Sequence, residues 1–345
     1  MNILVITNMC ASKENPYQGK FVRNQVSAIK NSKNLDVSYF EMPKEARDAG
    51  SFLKRYVLFL LTFFKGFIFS RKTFDIIHVH FFFPTIVLAY CYKLFRNPKV
   101  KLVATFHGSD VYHYEPPNKA YRFLFSKLDH AIFVSEPLMQ RCALKASNMS
   151  ILSAGIADEF TPIDSDKEFD LIFVGTLDEN KGILRLFDIL ESIQNTSLNI
   201  AIAGEGPLKQ DSIKRANQSN HRITLFGYVE QKSLIELYAK SRYLINLSAN
   251  ESFGLVLTEA MACGVPVIAT ATDGGNAQVK ESKNGYLLPC VSKFSANDWA
   301  ASLQKILNNN DYKSLSENAI LCGQQQKLSV VANKVISVYR ELLNK

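Results

Sequence analysis

Residues Asn250 to Ala269 read NESFGLVLTEAMACGVPVIA, and the rest of the chain is organised around this stretch. A polar start with Gly254 is followed by an apolar helix candidate whose only charge is Glu259. Apolar helices in α/β domains are packed on more than one side, and a carboxylate there either neutralises or finds strong donors. Glu251 stands just before the helix, where exposed backbone N–H groups and the helix dipole can hold a phosphate. The two carboxylates therefore predict a ligand that carries both hydroxyls and phosphates.

Short β-branched strands alternate with helix candidates on both sides of this stretch. The alternation begins at Ile3–Thr7, continues through Ile76–Val79 and Lys101–Phe106, and restarts at Asp170–Val174. This βαβ rhythm predicts parallel sheets covered by helices, so we expect an α/β fold of the doubly wound, Rossmann-like type.

The chain length and the loops predict two domains followed by a terminal helix. At 345 residues the chain is long for one core and suits two. A polar loop follows residue 160, where we place the boundary. The expected domains are residues 1–160 and 161–327, with an amphipathic helix in the segment 328–345.

Charge and cysteine content restrict the partners and the compartment. The net charge of +8 admits nucleic acid or an anionic membrane as a partner. We predict no nucleic-acid binding, because no recognisable nucleic-acid motif accompanies the charge. The six cysteines form no C-x-x-C pair, which argues against zinc and disulfides and favours reduced thiols in a cytoplasmic protein. The N-terminus reads as a first strand, so we expect no signal peptide.

Residues 52–72 form a basic, Phe-rich segment that reads FLKRYVLFLLTFFKGFIFSRK. Its uninterrupted apolar run of about nine residues is too short for a membrane span, which needs about 20. A basic, aromatic amphipathic helix can instead lie in the headgroup plane of an anionic membrane. The alternative is a helix that packs on the core with a solvated basic edge, and both interpretations stay open at this point.

Glycine or histidine follows several strands at their carboxyl ends. Gly175, Gly204 and Gly227 follow strands of the second half, and His107 follows a strand of the first. In doubly wound sheets these ends form one rim, so the turns are expected to converge on a ligand. His78 and His80 alternate to one face of a strand, but without cysteine or acidic partners nearby we interpret them as buried structural residues rather than metal ligands.

These motifs resemble those of the retaining, family 4 type glycosyltransferases with the two-domain GT-B fold. The second half carries most of the resemblance, and the first half matches through Gly19 and the run His107-Gly108-Ser109-Asp110. The matching pieces of the second half are Phe173-Val174-Gly175, Lys181-Gly182, Ala203-Gly204-Glu205-Gly206-Pro207, Phe226-Gly227-Tyr228-Val229 and the E-x7-E signature from Glu251 to Glu259. The resemblance implies two Rossmann-like domains that face a cleft, with the terminal helix packed back on the first domain.

The resemblance also implies roles for individual residues. Glu259 resembles the carboxylate that accepts from the ribose hydroxyls, Glu251 the one near the donor sugar, and His107 the active-site histidine. We expect His107 and Glu251 to be the catalytic residues. Charge-assisted hydrogen bonds suit the two carboxylates for these roles. The remaining expected donor contacts are the phosphate-binding Lys181, the close-approach glycines Gly19, Gly175 and Gly204, the base-contacting Val229, and the segment Ser252, Phe253, Gly254, Leu255 and Val256, whose backbone N–H groups would meet the diphosphate.

One position departs from the family pattern. Members commonly place arginine after the glycine that ends the first strand of this domain, whereas this chain has Thr176. Either Lys181 carries more of the phosphate charge, or Arg185 reaches the diphosphate in place of the missing guanidinium. No D-x-D motif stands in a donor position, so we expect no metal and no other cofactor.

The resemblance implies a retaining glycosyltransferase that uses a nucleoside-diphosphate sugar and a hydroxyl acceptor. The basic charge and the segment 52–72 point to a glycan or lipid-linked acceptor in surface polysaccharide synthesis, such as lipopolysaccharide or capsule, on the inner face of a membrane. Two alternatives stay open: a non-catalytic sugar-nucleotide-binding partner of another transferase, and a sugar-nucleotide epimerase.

Overall fold

The computed structural model of the chain describes residues 1–11, 18–32, 34–194, 196–280 and 283–344, without the side chain of Phe52. The sequence also predicts a polar loop over residues 8–18, of which residues 12–17 lie outside the described residues. The chain divides into two compact units. One unit consists of Met1–Gly155 together with Leu328–Lys345, and the other of Ile156–Lys327.

The first unit is built on a six-stranded parallel sheet. Its strands are β1 (Asn2–Thr7), β2 (Asp36–Glu41), β3 (Ile76–His80), β4 (Lys101–Phe106), β5 (His130–Phe133) and β6 (Met149–Ile151). They pair in the order β2-β1-β3-β4-β5-β6. The order reverses direction between β1 and β3, so this pair of strands flanks the topological switch point of the sheet.

Helices follow most of these strands. They are α1 (Lys20–Lys30), α2 (Lys44–Arg47), α3 (Phe52–Phe63), a π-helical turn (Phe64–Ile68), α4 (Phe82–Phe95), α5 (Ser109–Tyr112), α6 (Lys119–Phe125) and α7 (Glu136–Cys142). Helix α7 begins with a side-chain cap that is typical of helix N-termini. Ser135 accepts a hydrogen bond from the N–H of Leu138, and Pro137 stands in the first turn.

The second unit repeats the design with a second six-stranded parallel sheet. Its strands are β7 (Phe169–Val174), β8 (Asn199–Ala203), β9 (Arg222–Gly227), β10 (Ser241–Asn246), β11 (Val267–Thr270) and β12 (Gly285–Leu288). They pair in the order β12-β11-β10-β7-β8-β9, so β7 and β10 flank the switch point. The helices are α8 (Ile183–Glu191), α9 (Lys209–Gln218), α10 (Gln231–Ala239), α11 (Leu255–Ala262), α12 (Asp273–Gln278), α13 (Ala296–Leu307), α14 (Tyr312–Gln324) and a 3₁₀ turn (Val291–Lys293).

Alternation along β7 explains why this sheet is covered on both faces. Leu171 and Phe173 point into one buried cluster with α8 and α13, and Ile172 points into another with α10 and α11. Successive side chains of a strand project to opposite faces, so a strand with apolar side chains on both faces needs both of them covered. The expected α/β, doubly wound fold is thus confirmed in each unit.

The apolar stretch that opened the sequence analysis forms α11 and β11, as its pattern predicts. Helix α11 packs against α14, and Gly323 makes the close approach possible, since a Cβ there would lie 2.3 Å from the backbone nitrogen of Ala262. The final helix, α15 (Leu328–Leu343), belongs to the first unit. Its residues Val331, Val335 and Tyr339 share one buried cluster with Ile3 of β1.

Candidate functional site

Three glycine turns lie side by side at the carboxyl edge of the second sheet. The N–H of Gly175 donates to the carbonyl of Ala203 at 3.0 Å, and the N–H of Gly204 donates to that of Gly227 at 2.7 Å. A Cβ on Gly204 would stand 1.8 Å from the carbonyl oxygen of Gly175. Only a residue without a side chain fits there, so Gly204 is required for the loops to approach each other this closely.

The loops that follow β7 and β10, on the two sides of the switch point, are tied together by asparagine. The Asn180 carbonyl accepts from the N–H of Ala249 at 2.7 Å, and its side-chain oxygen accepts from the N–H of Asn250 at 3.1 Å. In the first loop, the carboxylate of Asp178 accepts from the N–H of Lys181 at 2.7 Å. Residues distant in sequence are therefore held next to each other where open α/β sheets bind ligands.

Lys181 and Glu251 meet at this point. The Nζ of Lys181 lies 2.5 Å from Oε2 of Glu251, and the side chains are 26% and 15% exposed. Both residues were predicted to contact the ligand, one through its phosphate and the other through its sugar. The structure shows in addition that they form an ion pair with each other, which the sequence did not indicate.

The start of α11 follows directly after this pair. Gly254 has φ 85°, and a Cβ there would lie 3.1 Å from Cγ of Glu251. The side-chain amide of Gln278 donates to the carbonyl of Gly254 at 3.1 Å and to that of Phe253. Ser252, Phe253, Leu255 and Val256 are all partly buried. The first N–H groups of a helix lack intrahelical acceptors, so this segment presents donors suited to an anion.

Glu259 lies on α11 beside two buried groups. Burial, and after it the charge of Glu259, raises the pKa of the Tyr238 hydroxyl well above its usual value. The same causes raise the pKa of the Cys263 thiol to about 12. Glu259 is itself half-buried. Tyr238 has no signal in the E-x7-E spacing and was missed from the sequence, because it reaches Glu259 from α10.

Val229 and Thr176 occupy the same end of the second unit. Val229 follows β9 and is partly buried against the cluster that also receives Leu255 and Val256. Thr176 is exposed directly after Gly175. The contacts thus group the predicted donor residues of the second unit around the carboxyl ends of its strands.

Arg185, the suggested substitute for the missing phosphate contact, is held by backbone carbonyls of the neighbouring loops. Its Nε and Nη2 donate to the carbonyl of Leu247 at 3.1 and 2.9 Å, and Nη2 also donates to the carbonyls of Glu179 and Asn180. Burial lowers the pKa of its guanidinium. Because Nε and Nη2 both donate to backbone carbonyls, Arg185 ties these loops together in this structure.

His107 stands at the end of β4 in the first unit. Its Nε2 is hydrogen-bonded to Nδ1 of His80 at 3.0 Å, and its ring centroid lies 5.0 Å from that of Phe21 and 4.6 Å from that of Phe81. Burial lowers the pKa of His107 well below the usual histidine value, and the neighbouring His80 lowers it further. At neutral pH the imidazole is therefore uncharged.

Gly19 lies close to this group within the same unit. It precedes α1 with φ 72°, and a Cβ there would lie 2.9 Å from Cβ of Met9. Two residues later Phe21 packs on His107. Gly19 thus lies two residues before a side chain that contacts His107, although β3 separates β1 from β4 in the sheet.

Asp110 holds the backbone around His107, a contact that the sequence did not reveal. Its carboxylate accepts from the N–H groups of His107 and Gly108 at 3.0 and 2.9 Å, and from that of Phe82 at 3.0 Å. It is buried, and this raises its pKa, while the three backbone donors oppose the shift. The run Gly108-Ser109-Asp110 after a strand was the available signal.

Two further features bear on ligands and membranes. Within the described ranges, no three His, Cys, Asp or Glu side chains are grouped so as to hold a metal ion. The expectation of metal-independent activity remains a prediction.

None of the helices in the described part of the chain combines the length and hydropathy that a membrane crossing requires.

Comparison with known proteins identifies the family. The model of the family "Glycosyl transferases group 1" matches residues 157–321, and that of "Glycosyltransferase Family 4" matches residues 38–157. The chain is 28% identical over 297 residues to N-acetyl-α-D-glucosaminyl L-malate synthase of Bacillus anthracis, covering 79% of this chain and 75% of that protein. It is also 28% identical over 276 residues to an uncharacterised glycosyltransferase of Methanocaldococcus jannaschii, covering 78% and 76%.

Solved structures agree on the fold. Sucrose-phosphate synthase from Thermosynechococcus elongatus superimposes with a TM-score of 0.75 at 20% identity, covering 100% of this chain and 99% of that one. HepE of Anabaena in complex with UDP gives a TM-score of 0.74 at 15% identity, covering 99% and 100%. The two family models together match residues 38–321, and the chain therefore belongs to the group 1, family 4 type glycosyltransferases with the GT-B fold.

Proposed function

We propose that the protein transfers a sugar from a nucleoside-diphosphate sugar to a hydroxyl acceptor with retention of anomeric configuration. The observation that carries the proposal is the meeting of Lys181 and Glu251 at the switch point of the second sheet, beside the first turn of α11. A cation, a carboxylate and the first-turn N–H groups of a helix at one strand edge suit a ligand with a diphosphate and hydroxyls. The solved HepE structure, which contains UDP, supports this ligand class.

In the proposed reaction, the bond from the anomeric carbon to the β-phosphate oxygen breaks and the acceptor oxygen bonds to the same face of that carbon. The acceptor proton passes to the departing phosphate oxygen. Lys181 and the N–H groups at the start of α11 stabilise the negative charge that develops on the diphosphate. Glu251 accepts from sugar hydroxyls and Glu259 from ribose hydroxyls. Val229 contacts the base.

His107 is assigned as the catalytic histidine. Since burial keeps its imidazole neutral, it can donate or accept one hydrogen bond without adding charge to the site. The donor belongs to the second unit and the acceptor to the first. The acceptor class is a growing glycan, lipid-linked or part of a surface polysaccharide, handled on the cytoplasmic side of a membrane.

The membrane part of the proposal rests on the exposed face of α3. Its buried side chains Phe59 and Phe63 pack with Phe40, so part of the aromatic content belongs to the core, as the alternative interpretation expected. The opposite side leaves Leu53 73% exposed and Leu61 59% exposed. Large side chains of this kind are rarely exposed together on a helix that contacts only water.

This apolar face continues beyond α3 and is bordered by cations. The ring centroid of Phe64 lies 6.2 Å from that of Phe95, which is exposed at the end of α4 together with Leu94. Lys54, Lys65 and Arg71 are exposed along the same segment. Apolar side chains bordered by cations complement an anionic lipid surface.

A transfer assay with a panel of nucleotide sugars and lipid-linked acceptors tests the proposed reaction. We expect glycoside formation, with the anomeric configuration of the donor preserved by NMR. Glu259→Ala should weaken donor binding, and His107→Ala should lower kcat more than it changes KM. Isomerised donor without an acceptor would establish an epimerase instead. Binding without transfer or hydrolysis in the purified protein would indicate a non-catalytic partner.

Vesicle flotation tests the membrane contact. Leu53→Ser with Leu61→Ser should lower binding to phosphatidylglycerol-containing vesicles about tenfold or more, because each removes apolar area from the bilayer contact. Leu321→Ser, at an equally exposed leucine of the second unit, is the matched control and should leave flotation unchanged. Equal flotation of all variants would contradict the assignment.

A further inference from the structure

The carboxyl ends of β3 and β4 carry a connected group of buried histidines. Nδ1 of His78 is hydrogen-bonded to the hydroxyl of Tyr339 at 2.6 Å, and its Nε2 to Oγ1 of Thr105 at 2.7 Å. The rings of His78 and His80 are 4.5 Å apart. His80 then reaches Nε2 of His107. His80, the last residue of β3, is thus in direct contact with the proposed catalytic histidine.

The backbone around this contact is held in a demanding conformation. Phe81, between His80 and α4, has φ 63°, which a bulky residue rarely adopts. Its N–H donates to the carbonyl of Thr105 at 3.2 Å, and its ring packs on His107. The carboxylate of Asp110 accepts hydrogen bonds from the N–H groups of both Phe82 and His107, and so links the two turns. Strain of this kind persists only where surrounding contacts determine the geometry, and it concentrates at functional sites.

We propose that His80 is a positioning residue that fixes the ring orientation and the tautomer of His107. The inference rests on the proposed role of His107 in transfer. In a hydrogen bond between two neutral imidazoles, one nitrogen carries the proton and the other accepts it. The contact therefore couples the tautomer of His107 to that of His80. In each complementary pair, the second ring nitrogen of His107 has one defined role toward the reactants.

The surroundings of His80 suit this role. Its side chain is 1% exposed, and burial lowers its pKa to about 3, so it stays neutral. A protonated His80 would form a permanent imidazolium–imidazole pair with His107. A neutral His80 instead leaves His107 able to hydrogen-bond the reactants without adding a net charge to the site. The ring stacks on His107 with centroids 5.3 Å apart and an interplanar angle of 20°, which restrains rotation of the catalytic ring.

Three substitutions at position 80 separate positioning from packing. His80→Asn places an amide atom close to the position of Nδ1, His80→Gln places it close to that of Nε2, and His80→Leu removes the hydrogen bond. We expect kcat to fall about tenfold to a hundredfold in the Leu and Gln variants, the cost of one buried imidazole left without its partner, with donor KM unchanged. Asn should restore most of kcat. His130→Leu, a buried strand histidine that contacts Ser150, is the matched control and should retain kcat.

A spectroscopic readout decides the inference independently of turnover. The ¹⁵N shifts of the His107 ring should report a single tautomer in the wild type and His80→Asn, and a mixture in His80→Leu. A single unchanged tautomer in His80→Leu, or a kcat within twofold of that of His130→Leu, would overturn the proposal. If His107→Ala transfers normally, the proposed role of His107 fails, while the ¹⁵N measurement still tests the tautomer.

Discussion

Replacing Glu251 by glutamine tests whether the Lys181–Glu251 pair stands where the diphosphate binds. The substitution keeps the shape of the side chain and removes its charge. In the wild type the ammonium is 2.5 Å from a carboxylate that is only 15% exposed. A diphosphate oxygen that binds Lys181 must therefore compete with Glu251. The glutamine variant should bind a nucleoside diphosphate more tightly, although it should transfer sugar more slowly.

The size of the effect follows from the burial of the pair. Exposed ion pairs contribute up to about 1 kcal/mol and buried ones more, so a partly buried pair is placed at about 1–2 kcal/mol. Removing this competition should tighten diphosphate binding about 5- to 30-fold. Lys181→Met should weaken it about 10- to 150-fold, since a hydrogen bond to a charged group contributes about 1.5–3 kcal/mol.

Calorimetric titration with UDP, GDP and ADP supplies the assay, because the base is not specified by the residues. In the Lys181→Met background, Glu251→Gln should have a smaller effect, which a double-mutant cycle detects as coupling. Glu168→Gln removes one carboxylate from an exposed pair with Lys240 in the same unit and should leave Kd unchanged. Unchanged or weaker binding by Glu251→Gln would refute the reasoning.

Other perturbations have equally specific outcomes. Burial lowers the pKa of His80 to about 3 in the folded state, so acid favours the unfolded chain, and this residue should cost about 2 kcal/mol of unfolding free energy between pH 7 and pH 5. Denaturant titration of the wild type and His80→Leu should show a smaller loss in the variant. Gly204→Ala should abolish nucleotide binding in a thermal-shift assay, because its Cβ would overlap the carbonyl of Gly175. Thr176→Arg should tighten UDP binding about tenfold, the value of one added charged hydrogen bond, and an unchanged Kd would show that position 176 does not reach the phosphates. Transfer should survive EDTA, and loss of activity that a divalent ion restores would contradict this.

The strands and the E-x7-E helix were predictable because their patterns are local. The apolar run after Gly254 has few interruptions, and the break at Gly264 separates helix from strand. The glycine rim was equally accessible, since parallel strands must present their carboxyl ends at one edge. Positions near strand ends therefore placed Gly175, Gly204 and His107 correctly at the edges of their sheets.

Contacts that depend on the order of strands were not predictable from one sequence. Alternation placed His78 and His80 on one face, but the bond from His80 to His107 requires β3 and β4 to be neighbours. The ion pair of Lys181 and Glu251 requires β7 beside β10. For Lys181 and Glu251 the missing information is the switch of winding direction between β7 and β10, which leaves no local trace in the residues. For His80 and His107 it is the pairing of β3 with β4, which the alternation along one strand does not specify.

The contacts of Arg185 bear on which residues replace the arginine that the family pattern places at position 176. A guanidinium near the phosphates looks like a substitute for the arginine that Thr176 replaces, and the sequence alone supports that view. Gly182 has no side chain, and a Cβ there would lie 2.4 Å from the carbonyl oxygen of Leu247 and 2.8 Å from Arg185. The guanidinium therefore reaches that carbonyl and satisfies it. Arg185 ties the loop that precedes Lys181 to the carbonyl of Leu247. Under the proposed function, the phosphate charge is then left to Lys181 and the backbone N–H groups at the start of α11.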